Sequence, residues 1–86
     1  MNSNLTTEAK AFIKRKQGRD EVIRIARAEE QQQVCYNLYT AFDANPDYLG
    51  RILFDAQGYW IYDGQVLEIA EQEQLAKFII NYTEVL

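Results

Sequence analysis

The chain has 86 residues, 48% of them hydrophobic and 13% aromatic, and a formal net charge of −4 at pH 7. This apolar content excludes a disordered chain, and the length suits a single domain (1–86) with a small core. The sequence contains no histidine and one cysteine, Cys35, which excludes an intramolecular disulfide and the usual Cys/His catalytic and zinc sites. We therefore expect no enzymatic activity, no metal and no cofactor.

The first residues lack the charged start and apolar run of a secretion signal. No stretch of the sequence approaches the roughly 18 apolar residues of a membrane-spanning helix. We expect a cytoplasmic protein that does not enter a membrane, with residues 1–5 disordered.

A first helix is predicted at about residues 7–17. Thr6 or Thr7 can cap its start, and Ala9, Phe12 and Ile13 form an apolar stripe at helical spacing. Gly18 is a suitable stop, because glycine adopts the left-handed geometry that ends helices.

Residues 20–42 allow two interpretations. The segment Ala26–Gln33 contains strong helix formers and no glycine, proline or asparagine to make a hairpin loop, which favours one long helix. The alternation of Val34, Tyr36 and Leu38 instead suits a strand. The alternative is therefore two antiparallel strands joined through Glu29–Gln33.

After a turn around Pro46, the sequence predicts a three-stranded antiparallel meander and a C-terminal helix. The strands are Tyr48–Phe54, Tyr59–Tyr62 and Gln65–Glu68, with hairpin loops at Gly58 and at Asp63-Gly64. Leu75, Phe78, Ile79 and Tyr82 form the apolar stripe of a helix at about residues 69–83.

The expected fold class is thus α+β, with two N-terminal helices, a three-stranded antiparallel β-meander and a C-terminal helix. In the alternative, residues 21–42 add two antiparallel strands, giving an α-β5-α order.

The basic residues are concentrated near the N-terminus. Residues 1–28 hold seven basic and three acidic side chains, a balance of +4; residues 29–86 hold two basic and ten acidic ones, a balance of −8. Such polarity is typical of a surface that meets an anionic partner, or of regions that attract a second copy of the chain. A nucleic-acid-binding domain is usually basic overall, whereas this chain has a pI of about 4.7.

These patterns favour a small, non-enzymatic regulatory protein that acts through protein–protein contacts and self-associates as a homodimer. The first alternative is a nucleic-acid-binding regulator that uses the basic segment 10–27, and the second is an acidic mimic or inhibitor of another protein. Cys35 is interpreted as a small buried hydrophobic residue. The candidate partner-binding residues are Lys10, Lys14, Arg15, Lys16, Arg19, Tyr36, Tyr39 and Trp60.

Overall fold

A computed structural model describes residues 5–16 and 18–82, which form five strands and one helix. The elements in chain order are β1 (Glu8–Ile13), β2 (Glu21–Glu30), β3 (Gln33–Thr40), β4 (Tyr48–Phe54), β5 (Trp60–Asp63) and α1 (Ile69–Ile80). The strands form one antiparallel sheet in the order β1-β2-β3-β4-β5. In the described ranges no helix has the length and apolar character needed to cross a membrane.

The predicted first helix is wrong, because the residues assigned to it contain strand β1. β1 pairs with β2 in a register that sets Ala9 opposite Ile25 and Ala11 opposite Ile23. Ala9, Ala11 and Ile13 thus alternate onto one face of the sheet, a two-residue period that the helical stripe through Phe12 concealed. Gly18 has φ of 87°, but it lies in the connection between two strands rather than at a helix end.

The predicted long helix over residues 20–42 is also wrong. The two strands β2 and β3 are joined by the two-residue turn Gln31-Gln32, and Glu30 pairs with Gln33 beside it. Both turn residues have positive φ, 51° and 68°, as a type I′ hairpin turn requires. Glutamine rarely takes this conformation, so the turn lacked the Asn-Gly or Asp-Gly signature that would have predicted it.

The meander is present only in part. Its first two strands correspond to β4 and β5, but Gln65–Glu68 forms no strand. After β5 the chain leaves the sheet, and the Tyr62 hydroxyl fastens the connection: it donates to the carbonyl of Leu49 and lies 3.3 Å from the amide nitrogens of Val66 and Leu67. The five-stranded alternative comes closer to the structure, but it too contains an N-terminal helix and the third meander strand.

The core lies between the sheet and α1. Ile23, Ile25, Leu38 and Ile52 line one face of the sheet and are fully buried. The helix covers them with Leu75, Ala76 and Ile79, as the predicted C-terminal helix requires. Leu5 is buried in the same cluster, whereas residues 1–4 of the predicted disordered end lie outside the described part of the chain.

Candidate protein-binding surface

The sheet has a second face, opposite α1, that no described element covers. Strand alternation places the neighbours of the core residues on this side. We call this surface the outer face; its large side chains are those of Lys10, Phe12, Val22, Arg24, Tyr39, Tyr48, Arg51, Leu53 and Ile61.

Four of these side chains form a row across the first four strands. The strand register places Lys10 beside Arg24, Arg24 beside Tyr39, and Tyr39 beside Tyr48. The Arg24 guanidinium carbon lies 4.5 Å from the centre of the Tyr39 ring, and the rings of Tyr39 and Tyr48 are 5.6 Å apart at 56°. These are the distances of a cation–π contact and of a tilted aromatic pair, so the row is an ordered surface of rings and charge.

Phe42 extends this surface at the end of β3. It has φ of 64° and is 81% exposed, an uncommon conformation for a large aromatic residue. The Lys10 ammonium nitrogen lies 5.7 Å from the centre of the Phe42 ring. An ordered phenylalanine with this exposure adds apolar area that a partner can cover.

The arginines of the outer face are already paired with carboxylates. Arg24 lies 3.0 Å from Glu8, and Arg51 lies 3.0 Å from both Glu30 and Asp63. A phosphate backbone would have to displace these acids before it could use the arginines. The outer face therefore combines aromatic surface with balanced charge, rather than concentrated positive charge.

Two pKa shifts reflect this arrangement. The pKa of Tyr48 is raised from its ordinary value, first by burial and then by the charge of Asp63, against an opposing effect of Arg51. The pKa of Arg51 is raised mainly by its hydrogen bond to Asp63 and next by one to Cys35. Cys35 is buried on this face beneath Arg51, in agreement with its interpretation as a small buried residue.

Of the sequence-predicted site residues, Lys10 and Tyr39 lie on the outer face. Tyr36 does not: it is 4% exposed in the core, where its ring meets Phe54 edge-on at 5.7 Å. Trp60 is half-buried and also packs against the core. The side chains of Tyr36 and Trp60 therefore lie on the face of the sheet that α1 covers, opposite the outer face.

The positive charge of Arg15 is not free for a partner, because its guanidinium is paired with two carboxylates of this chain. Its guanidinium lies 2.6 Å from Glu21 and 2.6 Å from Glu71, and Glu71 is buried in the first turn of α1. Burial lowers the pKa of Arg15, but hydrogen bonds to Glu71 and Glu21 raise it by more. Arg15 thus ties the β1–β2 connection to the helix.

The neighbouring basic residues Lys14, Lys16 and Arg19 differ from Arg15, because their side chains are exposed. The backbone of Lys14 exchanges two hydrogen bonds with the side-chain amide of Gln74, at 2.8 and 2.7 Å, while the Lys14 side chain is exposed. Lys16 and Arg19 lie in the β1–β2 connection, and both are exposed. The basic segment 10–27 therefore does not form one surface. Arg15 contacts α1, and Lys16 and Arg19 are exposed in the β1–β2 connection. Lys10 and Arg24 lie on the outer face.

The sequence interpretation missed Arg24, Phe42, Tyr48 and Arg51 as members of one surface. Their common signal is the two-residue alternation of β2, β3 and β4, which becomes visible only when residues 21–42 are assigned to strands. Once β2 and β3 are aligned at the Gln31-Gln32 turn, Arg24 and Tyr39 fall opposite each other.

Among the described residues, no group of three or more acidic or cysteine side chains is arranged to hold a metal ion. Comparisons with protein-family models, curated proteins and solved structures find no match to this chain.

Proposed function

We propose that this chain is a small, non-enzymatic regulatory protein of the cytoplasm that binds another protein through the outer face and self-associates. The observation that carries the proposal is the uncovered row formed by Lys10, Arg24, Tyr39 and Tyr48. Tyrosine and arginine are enriched at the centres of protein interfaces, where each offers a large contact area and a polar end.

The apolar residues around the row support the same function. Phe12, Phe42 and Ile61 are 60%, 81% and 64% exposed. Phe12 lies on the first strand, Phe42 just after the third, and Ile61 on the fifth. Burying such side chains against a partner removes apolar area from water, which is the main favourable term in protein association.

Charge pairing favours a protein partner over a nucleic acid. Arg24 and Arg51 each contact carboxylates at 3.0 Å, so a phosphate would meet acidic oxygens beside each arginine. A protein partner can extend such ion-pair networks with charges of either sign.

The test compares retention of native cytoplasmic proteins on the immobilised chain and on two variants. Arg24→Glu combined with Tyr39→Ala alters the row, whereas Lys16→Glu changes charge at the exposed β1–β2 connection. We expect proteins held by the original chain and by Lys16→Glu to be lost from the double variant. Equal retention on all three chains would contradict the proposed surface.

A second arm addresses nucleic acid. Generic single-stranded and duplex DNA should not be retained by the outer face even at low salt, because its arginines, Arg24 and Arg51, are paired with neighbouring acids. Retention that weakens steeply with added salt would instead favour the nucleic-acid-binding alternative.

A further inference from the structure

Strand β1 is an edge of the sheet with open backbone groups. The amide of Arg27 donates to the carbonyl of Thr7 at 2.7 Å, which fixes the residues that bond to β2 as Thr7, Ala9, Ala11 and Ile13. The backbone groups of the alternate residues Glu8, Lys10 and Phe12 therefore point away from the sheet. No described residue bonds to them.

The end of this edge is closed by the helix. The Gln74 amide pairs with both backbone groups of Lys14, much as a neighbouring strand would. This contact limits the open part of β1 to the three positions Glu8, Lys10 and Phe12. Because few positions are open, few pairing registers are available.

A groove of about 630 Å³ lies between Phe12, at the open edge of β1, and the second half of α1. Phe12 borders it from the outer face, and Gln74, Lys77, Phe78, Asn81 and Tyr82 border it from the helix. Phe78 and Tyr82 form a ring pair at 5.6 Å. A strand added to β1 would thus gain backbone hydrogen bonds and aromatic contacts together.

The charges of β1 match a second copy of the same strand. In an antiparallel pair with its twofold axis at Ala9, Glu8 of each copy lies opposite Lys10 of the other. Both side chains are on the outer face, where directly opposed residues interact most strongly. With the axis at Lys10, the two lysines would oppose each other, and Glu8 would oppose Phe12.

We propose that two copies of this chain pair antiparallel through β1, with the twofold axis at Ala9 and two Glu8–Lys10 ion pairs across it. The two sheets then form one continuous ten-stranded sheet, and the groove beside each β1 is covered. Because both copies use the same edge in the twofold contact, the assembly ends at two copies. This inference rests on the self-association in the proposed function and assigns its surface and register.

The test is sedimentation at several protein concentrations with charge-reversed variants. Lys10→Glu places two glutamates opposite each other at each pair, and Glu8→Lys places two lysines there, so each variant alone should dimerise more weakly by about tenfold to hundredfold. In a mixed dimer, the two glutamates of the Lys10→Glu copy lie opposite the two lysines of the Glu8→Lys copy, so both pairs regain opposite charges. We expect an equimolar mixture of the two variants to recover dimers. Lys16→Glu is the control for the change in net charge and should dimerise as the original chain does.

The outcomes separate this inference from the proposed function. A dimer that neither reversal weakens, and that mixing Lys10→Glu with the original chain does not strengthen, overturns the β1 contact but leaves self-association standing. If Glu8→Lys dimerises as the original chain does and Lys10→Glu gains dimers when it is mixed with the original chain, the axis lies at Lys10 and the register is overturned. A monomer at all concentrations overturns both statements.

Discussion

The two faces of the sheet differ in the kind of side chain they carry. The face under α1 is built from aliphatic residues such as Ile25 and Leu38, which are fully buried. The outer face carries Tyr39 and Tyr48 with arginines between acids. Aliphatic side chains contribute by exclusion from water alone, whereas tyrosine and arginine keep a polar end for a partner. The contrast indicates that one face holds the fold together and the other is available for contact.

The largest expected effect is the difference in unfolding free energy between a substitution on the face under α1 and one on the outer face. Leu38→Ala should lower the free energy of unfolding by about 2–5 kcal/mol, because a cavity remains in the covered core. Ile61→Ala, on the outer face at 64% exposure, should cost less than about 1 kcal/mol. Urea unfolding of both variants measures the difference. Similar losses would mean that the outer face is also a packed core.

The next effect concerns the bulge in β4 where the register with β3 shifts. Gly50 has φ of 109°, and a Cβ there would lie 2.7 Å from the Tyr62 ring and 2.8 Å from the Asp63 carbonyl. Gly50→Ala should therefore cost about 2–4 kcal/mol from backbone strain and overlap. Gly18→Ala is the control, because its φ is also positive, 87°, but a Cβ would meet nothing within 4 Å.

If thermal unfolding shows equal losses for the two glycine variants, the packing of Tyr62 against Gly50 does not contribute. A larger loss for Gly50→Ala would show that the close packing of Tyr62 against Gly50 stabilises the pairing of β4 with β5.

A smaller effect is expected for the contact that anchors the helix over its face. Arg15→Met leaves the buried Glu71 carboxylate without its guanidinium partner, at a cost of about 1–3 kcal/mol. Lys16→Met, one residue further along in the exposed connection, should change stability by less than about 0.5 kcal/mol. Chemical unfolding compares the two; equal effects would make Arg15 an ordinary surface residue.

The smallest effect concerns pH and the outer face. The folded chain raises the pKa of Tyr48, chiefly by burial, so folding favours the protonated phenol. Its contribution to stability is complete below the unfolded pKa of about 10 and is lost as pH rises through the higher folded value. Tyr48→Phe should lose less stability than the original chain as pH is raised from about 9 to above the folded pKa in thermal unfolding. Identical losses would contradict a protonation preference at Tyr48.

The sequence predicted the later part of the fold better than the earlier part. The strands β4 and β5 have turn residues and aromatic patterns that indicate them, and α1 has a clear apolar stripe. The hairpin of β2 and β3 turns at Gln31-Gln32, where glutamine gives no turn signal. β1 alternates mainly between small alanines and polar residues, a pattern that a helix fits equally well.

The candidate site was predicted in part for the same reason. Lys10 and Tyr39 were selected by charge and by residue type, and both lie on the outer face. Tyr36 and Trp60 were selected by type as well, but without the strand register their face could not be assigned. Arg15 was selected for its charge, yet its carboxylate partner Glu71 lies 56 positions along the chain, a contact that only the packing of α1 on β1 creates.

The most direct test of the outer face as the contact surface is methyl NMR of the chain with a protein recovered by retention. Leu53 and Ile61 report on the outer face, and Ile23 and Ile52 report on the core. We expect the signals of Leu53 and Ile61 to shift or broaden on binding while those of Ile23 and Ile52 change little. Changes confined to Ile69 and Ile80, which are exposed on α1, would place the contact on the helix and contradict the account.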